Sequence, residues 1–246
     1  MTNEHNTWIW ADWPAPDHIR AGTTTRRGGY SRSPFDELNL AQHVGDSINT
    51  VNKNRKKISK QLSLKSAPLW LNQYHSNQII PADTYSKNQN ADAIMASKTN
   101  TVCTIMTADC VPILICDKQG EKIAAVHAGW RGISSGIIEK TIKQFSEPEN
   151  VLVWLGPCIS QEFYEVGEDV FLACIHHETK LSSTFIQKDD QHWHYDLPES
   201  VKIILKNSGI GAIYECGLCT YRQSDLFYSY RRDGKTGRTA AMIWME

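Results

Sequence analysis

The chain has 246 residues, 41% of them hydrophobic, with 26 basic against 27 acidic side chains and a net charge of -1. That length supports a sizeable core without disulfides, and the balanced charge gives no reason to expect a nucleic-acid or anionic-membrane partner. No apolar run approaches the ~18 residues of a membrane-spanning helix.

The polar segment Met1 to Trp13 lacks the basic-then-apolar order of a secretion signal. Residues 18–25 predict a strand, and Arg26-Arg27-Gly28-Gly29 a turn that tolerates positive φ. A helix is expected over 47–62, with Ile48, Val51, Ile58 and Leu62 on one face and Asn49, Asn52, Lys53, Lys56 and Lys57 open to water. Short β-branched runs predict strands at 68–75, 102–106, 112–116 and 122–127. A helix follows over 134–145, with Ser134 and Ser135 as capping hydroxyls and Ile138, Ile142 and Phe145 buried. A strand at 151–155, helices at 167–177 and 197–207, and strands at 213–216 and 239–245 complete the chain.

Interleaved strands and helices, without a linker or an internal repeat, predict a single α/β (α+β) domain over residues 1–246 with helices covering sheet faces. Cysteines number seven, and Cys103, Cys116, Cys158 and Cys174 stand in apolar runs, a pattern of free thiols in a reducing compartment. We therefore expect a cytoplasmic monomer. The basic clusters at Arg26-Arg27, Arg55-Lys56-Lys57 and Arg231-Arg232 are short enough to be solvated faces or helix ends.

Three segments end predicted strands with polar, ligand-capable groups: Asn72-Gln73-Tyr74-His75-Ser76, Thr107-Ala108-Asp109-Cys110 and His127-Ala128-Gly129-Trp130-Arg131-Gly132. Loops on a rigid sheet are where sites usually lie. His75, Cys110 and His127 make a set of two imidazoles and one thiolate, which suits a catalytic zinc with an open fourth position. The same residue types also describe two hydrogen-bonded histidines and a small buried thiol, and residue type alone leaves both readings open.

The strings N-Q-Y-H-S, T-A-D-C-V-P-I-L, A-A-V-H-A-G-W-R-G and W-L-G-P-C-I resemble the YfiH family in order and spacing. So do T-T-T-R-R-G-G-Y-S, L-N-L-A-Q-H-V-G-D and S-Y-R-R-D-G-K-T-G-R, and the likeness runs from about Ala21 to Ile243. The family also carries the label multicopper polyphenol oxidoreductase, or laccase domain. The resemblance implies a single-domain α/β/β/α sandwich and one Zn2+ or Cu2+ per chain on His75, Cys110 and His127. It further implies phosphorolysis of adenosine, inosine and methylthioadenosine, and adenosine deamination, with a purine nucleoside and phosphate as small-molecule partners.

The laccase label can be weighed against the residues. A multicopper oxidase needs about four coppers and about ten histidines, many in His-x-His pairs. This chain has nine histidines and one such pair, His192-Trp193-His194, while His5, His18, His176 and His177 lie in polar stretches. A single-copper oxidoreductase with Met106 nearby remains an alternative. For deamination, neither His75 nor His127 is followed by the x-Glu of the better-known zinc deaminases. Asp109 is the catalytic candidate, as proton shuttle or as orienter of a ligand histidine. For phosphate, Arg131 is the candidate clamp and Arg26 a weaker one.

Two further alternatives stand. Cys110 with His127 can form the thiolate–imidazole pair of a cysteine-type amide hydrolase acting on peptidoglycan precursors, to which the family has also been linked. A metal-sensing or storage protein is the non-enzymatic reading. The Cys216-Gly217-Leu218-Cys219 pair, lacking a second pair, reads as ordinary buried thiols. Trp130, Trp154 and Trp193 read as packing residues.

Overall fold

The structure is a computed structural model that describes residues 7–87 and 89–246. The reading of His5 lies outside the described residues.

In chain order, strands β1 (Trp8–Trp10) and β2 (Ile19–Thr24) precede helix α1 (Ile48–Gln61). Strands β3 (Leu69–Trp70), β4 (Ile79–Pro81), β5 (Ala93–Ala96), β6 (Val102–Thr107), β7 (Val111–Asp117) and β8 (Ile123–Ala128) follow. Helices α2 (Trp130–Ser134) and α3 (Ile137–Ile142) lead to β9 (Val151–Leu155), β10 (Glu165–Gly167) and helix α4 (Glu168–His177). The chain closes with β11 (Phe185–Gln187), β12 (His192–Tyr195), α5 (Leu197–Asn207), β13 (Ala212–Glu215), α6 (Tyr230–Asp233) and β14 (Thr239–Met245).

Two mixed sheets stack face to face, one ordered β1-β2-β14-β6-β3 and the other β13-β9-β7-β8-β5-β4; β10-β12-β11 form a small third sheet. The alternation of side chains along a strand explains the layering. On β14, Ala241, Ile243 and Met245 pack between the large sheets with Ile105, Leu114 and Trp154. The intervening Ala240, Met242 and Trp244 face outward, where Leu38 and Leu40 of the preceding loop and Ile58 of α1 cover them. On the second sheet, Ile113, Ile115 and Val126 face α2 to α5 through Ile133, Ile138, Val170 and Val201. The order of layers is thus α/β/β/α, as the resemblance implied. A one-residue slip would turn each strand's faces over, so burial on both sides pins the register. Among the described residues, no helix is long and apolar enough to cross a membrane.

The structure corrects several expectations. The strand expected over 68–75 ends at Trp70, after pairing in parallel with Cys103 and Thr104 of β6. Residues 71–78 instead cross from one sheet to the other. There Gln73 stands in for a strand neighbour, donating from Nε2 to Met106 O (2.8 Å) and accepting the Met106 N–H (2.7 Å). The helix expected over 134–145 starts earlier, at Trp130, and breaks at Gly136, whose φ of 81° suits glycine. Ser135 closes the first helical segment and Gly129 precedes it, so the serines are not N-caps. Ile138, Ile142 and Phe145 are buried as expected, whereas Ile48 at the start of α1 is 56% exposed. The buried face of α1 carries Asn54 beside Val51 and Ile58, and its Nδ2 donates to Ser31 Oγ, Glu37 O and Asn39 O.

Candidate metal centre

Strand parity carries three key side chains to one end of the gap between the sheets. On β8, His127 has the parity of Ile123 and Ala125, which face the other sheet. Cys110, just before β7, has the parity of Leu114 and Cys116. Asp92, just before β5, has that of Ile94. Because β5 and β7 both flank β8, with Ala93 opposite Val126 and Pro112 opposite His127, the three residues converge.

His75 arrives from the crossover. It adopts a left-handed conformation, φ 63°, that is uncommon for a residue with a side chain. The Asp92 carboxylate holds it there, accepting backbone N–H groups from Tyr74 (3.3 Å), His75 (3.0 Å) and Ser76 (2.6 Å), and the Ser76 hydroxyl (2.7 Å). The same carboxylate lies 2.8 Å from His127 Nδ1. Asp92 therefore orients one histidine ring and the loop bearing the other.

The structure brings His75, Cys110 and His127 together, with one ligand atom of each within 4.8 Å of the others. Cys110 Sγ is 3.8 Å from His75 Nε2, and the two imidazoles meet edge to face at 4.8 Å between centroids. Tetrahedral zinc with its usual bond lengths would set sulfur and nitrogen about 3.6 Å apart. With His127 Nδ1 engaged by Asp92, its Nε2 is left for an ion, the usual carboxylate–histidine–metal order. Gly129 keeps the space clear: a Cβ there would lie 2.8 Å from Cys110 Sγ and 2.9 Å from His75 Cδ2. The donor set fits one ion, and it is the one such cluster among the described residues. Among the described residues no second cluster of this kind offers housing for further coppers.

The electrostatics agree. Burial opposes ionisation of the Cys110 thiol, but His127 and His75 outweigh it and bring its pKa well down. Burial likewise disfavours protonated His127, and Cys110 and Asp92 overcome it, so its pKa rises. Asp92 is buried, which penalises its charge, yet the hydrogen bonds from His127 and Ser76 keep it ionised. These shifts make Cys110 a thiolate paired with a protonated His127; a bound ion would take the thiolate and replace the proton on His127 Nε2, because histidine ligates as the neutral ring.

The cluster opens into a cavity of about 710 Å³ lined also by Met106, Asp109, Trp130, Arg131, Tyr164 and Arg238, within the ~300–1,000 Å³ range of small-molecule sites. A depression of about 800 Å³ elsewhere, around His18, Asp117 and Lys122, holds no such ligand cluster.

The other expected residues divide. Asp109 lines the cavity, but its carboxylate accepts the Thr220 hydroxyl (2.6 Å) and the Arg231 N–H (2.7 Å), and contact with a cluster histidine belongs to Asp92. Its φ of 96° is held by these bonds and turns the chain so that Cys110 follows into the site. Arg131 is exposed at the cavity wall, 4.2 Å over the Trp130 ring. Arg26 is a structural residue, donating to Asp36 O and Ser224 O. The sulfur of Met106 faces Arg55 Nη2 at 4.0 Å. Trp154 and Trp193 are buried packing residues, whereas Trp130 also faces the cavity. All seven cysteines are free, and Cys219 receives the Ser160 hydroxyl (3.1 Å). His177, in one of the polar stretches, is half-buried against Glu139 at 2.6 Å.

Sequence reasoning missed Asp92, and with it His43, Tyr164, Tyr230 and Arg238. The available signal was a carboxylate in N-A-D-A-I-M, out of place beside an apolar strand. His43, Tyr230 and Arg238 stood inside strings already notable for their likeness to a family.

Comparison with known proteins gives a consistent picture. Residues 20–246 match the family model described as multi-copper polyphenol oxidoreductase laccase. A purine nucleoside phosphorylase of Pseudomonas aeruginosa is 40% identical over 243 residues, 98% of this chain and 99% of its own. The purine nucleoside phosphorylase YfiH of Escherichia coli is 41% identical over 236 residues, 95% of this chain and 96% of its own. The crystal structure of a Neisseria meningitidis protein superposes with a TM-score of 0.94 at 38% identity, covering 98% of this chain and 100% of that one.

Proposed function

The chain belongs to the YfiH family, the group behind the laccase description, and from that membership we propose that it is a metal-dependent purine nucleoside phosphorylase. The observation that supports this most is the His75–Cys110–His127 cluster opening onto a cavity walled by aromatic rings and arginines.

The ion we assign is zinc, with copper as the alternative, on His75 Nε2, Cys110 Sγ and His127 Nε2; it would supply Lewis acidity at an open fourth position. The chain's own residues do the rest. Asp92 fixes the His127 ring and the His75 loop. Trp130, Tyr164 and Tyr230 offer flat surfaces for a purine. Arginines on the wall offer planar donor forks for phosphate. In the reaction, a phosphate oxygen bonds to C1′ of the ribose as the C1′–N9 bond breaks. The electron pair leaves on N9, the base takes a proton, and ribose 1-phosphate remains. Adenosine deamination is the companion activity; Asp109, with both oxygens engaged, is not free to shuttle its proton.

The depressed Cys110 thiol supports a second reading, a cysteine-type amide hydrolase acting on peptidoglycan precursors. One experiment separates them. Metal-loaded and chelated protein are incubated with inosine or adenosine, with and without phosphate, and free base, ribose 1-phosphate and inosine are quantified. Phosphate-dependent free base from the metal-loaded form alone is expected. Absence of purine turnover, with alkylation of Cys110 and amide cleavage both rising on chelation, would favour the hydrolase.

A further inference from the structure

Two of the family-like strings, residues 38–46 and 229–238, contribute no member of the metal cluster. The fold nevertheless brings both to its cavity, where His43, Tyr230, Arg231 and Arg238 share the wall with His75, Cys110 and His127. The reason is the pairing of Thr239 with Thr107, which sets Arg238 beside the turn leading to Cys110. Asn39 then locks the strings together. Its Oδ1 accepts the Arg238 N–H (3.0 Å), and its Nδ2 donates to Asp46 Oδ2 (2.9 Å) across the His43 loop.

Arg238 differs from its neighbours in how it is held and buried. Its Nη1 donates to Thr236 O (3.0 Å) and Gly237 O (2.9 Å), and the guanidinium lies 5.7 Å over the Tyr230 ring. These contacts fix the fork while leaving Nε and Nη2 without a protein partner among the described residues, and no carboxylate pairs with it there. By contrast, Arg232 pairs with Asp233 and donates to three carbonyls. Arg231 is held in a similar way, through Nη1 to Glu165 O and over the Tyr164 ring, but it is exposed. Asp109, the acid in this wall, is already occupied by Thr220 and the Arg231 N–H. A half-buried, preorganised cation with two free donors and no carboxylate within ion-pair distance, balanced only at longer range by Cys110 and Asp109, is built for an oxyanion.

We propose that Arg238, with His43 beside it, is the phosphate subsite of this cavity. Its Nε and Nη2 donate to two phosphate oxygens, and a third oxygen bonds to C1′ as the C1′–N9 pair departs with the base. The assignment rests on the phosphorolysis reading and moves the anion from Arg131, which is exposed over Trp130. His43 agrees with it: burial, then the Arg238 and Arg55 cations, hold its imidazole pKa below the ordinary value, a field that attracts an anion.

The test combines steady-state kinetics with calorimetric titration by inorganic phosphate alone, on zinc-loaded wild type, Arg238→Gln and Arg238→Lys. Arg238→Gln should raise KM for phosphate by about tenfold or more, with a smaller change in KM for inosine and unchanged zinc content. Arg238→Lys, which keeps charge without the fork, should fall between. If Arg238→Gln does not fold or load zinc, Arg238→Lys and His43→Gln carry the comparison. Wild-type phosphate affinity in the variants would overturn the subsite. Phosphate binding lost in Arg238→Gln, with no phosphorolysis even in wild type, would instead sink the phosphorylase reading and keep the anion site. Tighter binding of inosine 5′-monophosphate than of inosine and phosphate together would overturn free phosphate as the occupant.

Discussion

His127 Nδ1 lies 2.8 Å from Asp92 Oδ1, and that carboxylate also accepts the backbone N–H of His75 at 3.0 Å, so one buried acid positions both imidazoles of the cluster. Asp92→Asn keeps the size of the group and removes its charge. Metal affinity should fall about 10–100-fold, the usual cost of losing such a partner. Competition with a chromogenic chelator measures it; affinity equal to wild type would show that the pair is structural only.

Gly129→Ala tests the space between the ligands. An added Cβ would lie 2.8 Å from Cys110 Sγ and 2.9 Å from His75 Cδ2, closer than such contacts allow. The φ of Gly129, -86°, is open to any residue, so the effect is steric and local. The expected outcome is a folded protein with most of its metal lost, read by elemental analysis beside circular dichroism.

His43 supplies a prediction with a sign. Burial and the Arg238 and Arg55 cations lower its pKa, because each disfavours the imidazolium. A bound phosphate reverses the field and favours it, so the pKa should rise. Imidazole proton resonances followed against pH, with and without phosphate, report the shift. No movement at saturating phosphate would count against an anion next to Arg238.

Much of the architecture was legible because β6, β7, β8 and β14 are apolar runs, α5 has a clear apolar face and α1 has one from Val51 onward. Strands such as β1 and β4, of three residues each, carry too little pattern and exist because a neighbour pairs with them. His75, Cys110 and His127 were legible as ligand types at strand ends. That Asp92 serves two of them was not, since it depends on β5 lying beside β8, a pairing that only tertiary structure sets. Arg238 was hidden for the same reason: its position follows from β14 pairing with β6, far away in the chain.

With all seven thiols free, thermal unfolding should give the same midpoint with and without a strong reductant. A fall of many degrees under reduction would reveal a disulfide, since such a bond typically contributes about 2–4 kcal/mol.

The account stands on a metal held by His75, Cys110 and His127, and anomalous scattering from crystals, collected on both sides of the zinc edge, tests it most directly. The predicted result is one strong peak per chain, about 2.3 Å from Cys110 Sγ and about 2.0–2.1 Å from a nitrogen of each histidine. Crystals of protein supplied with zinc and copper that show no anomalous peak at this cluster, or a peak elsewhere alone, would contradict it.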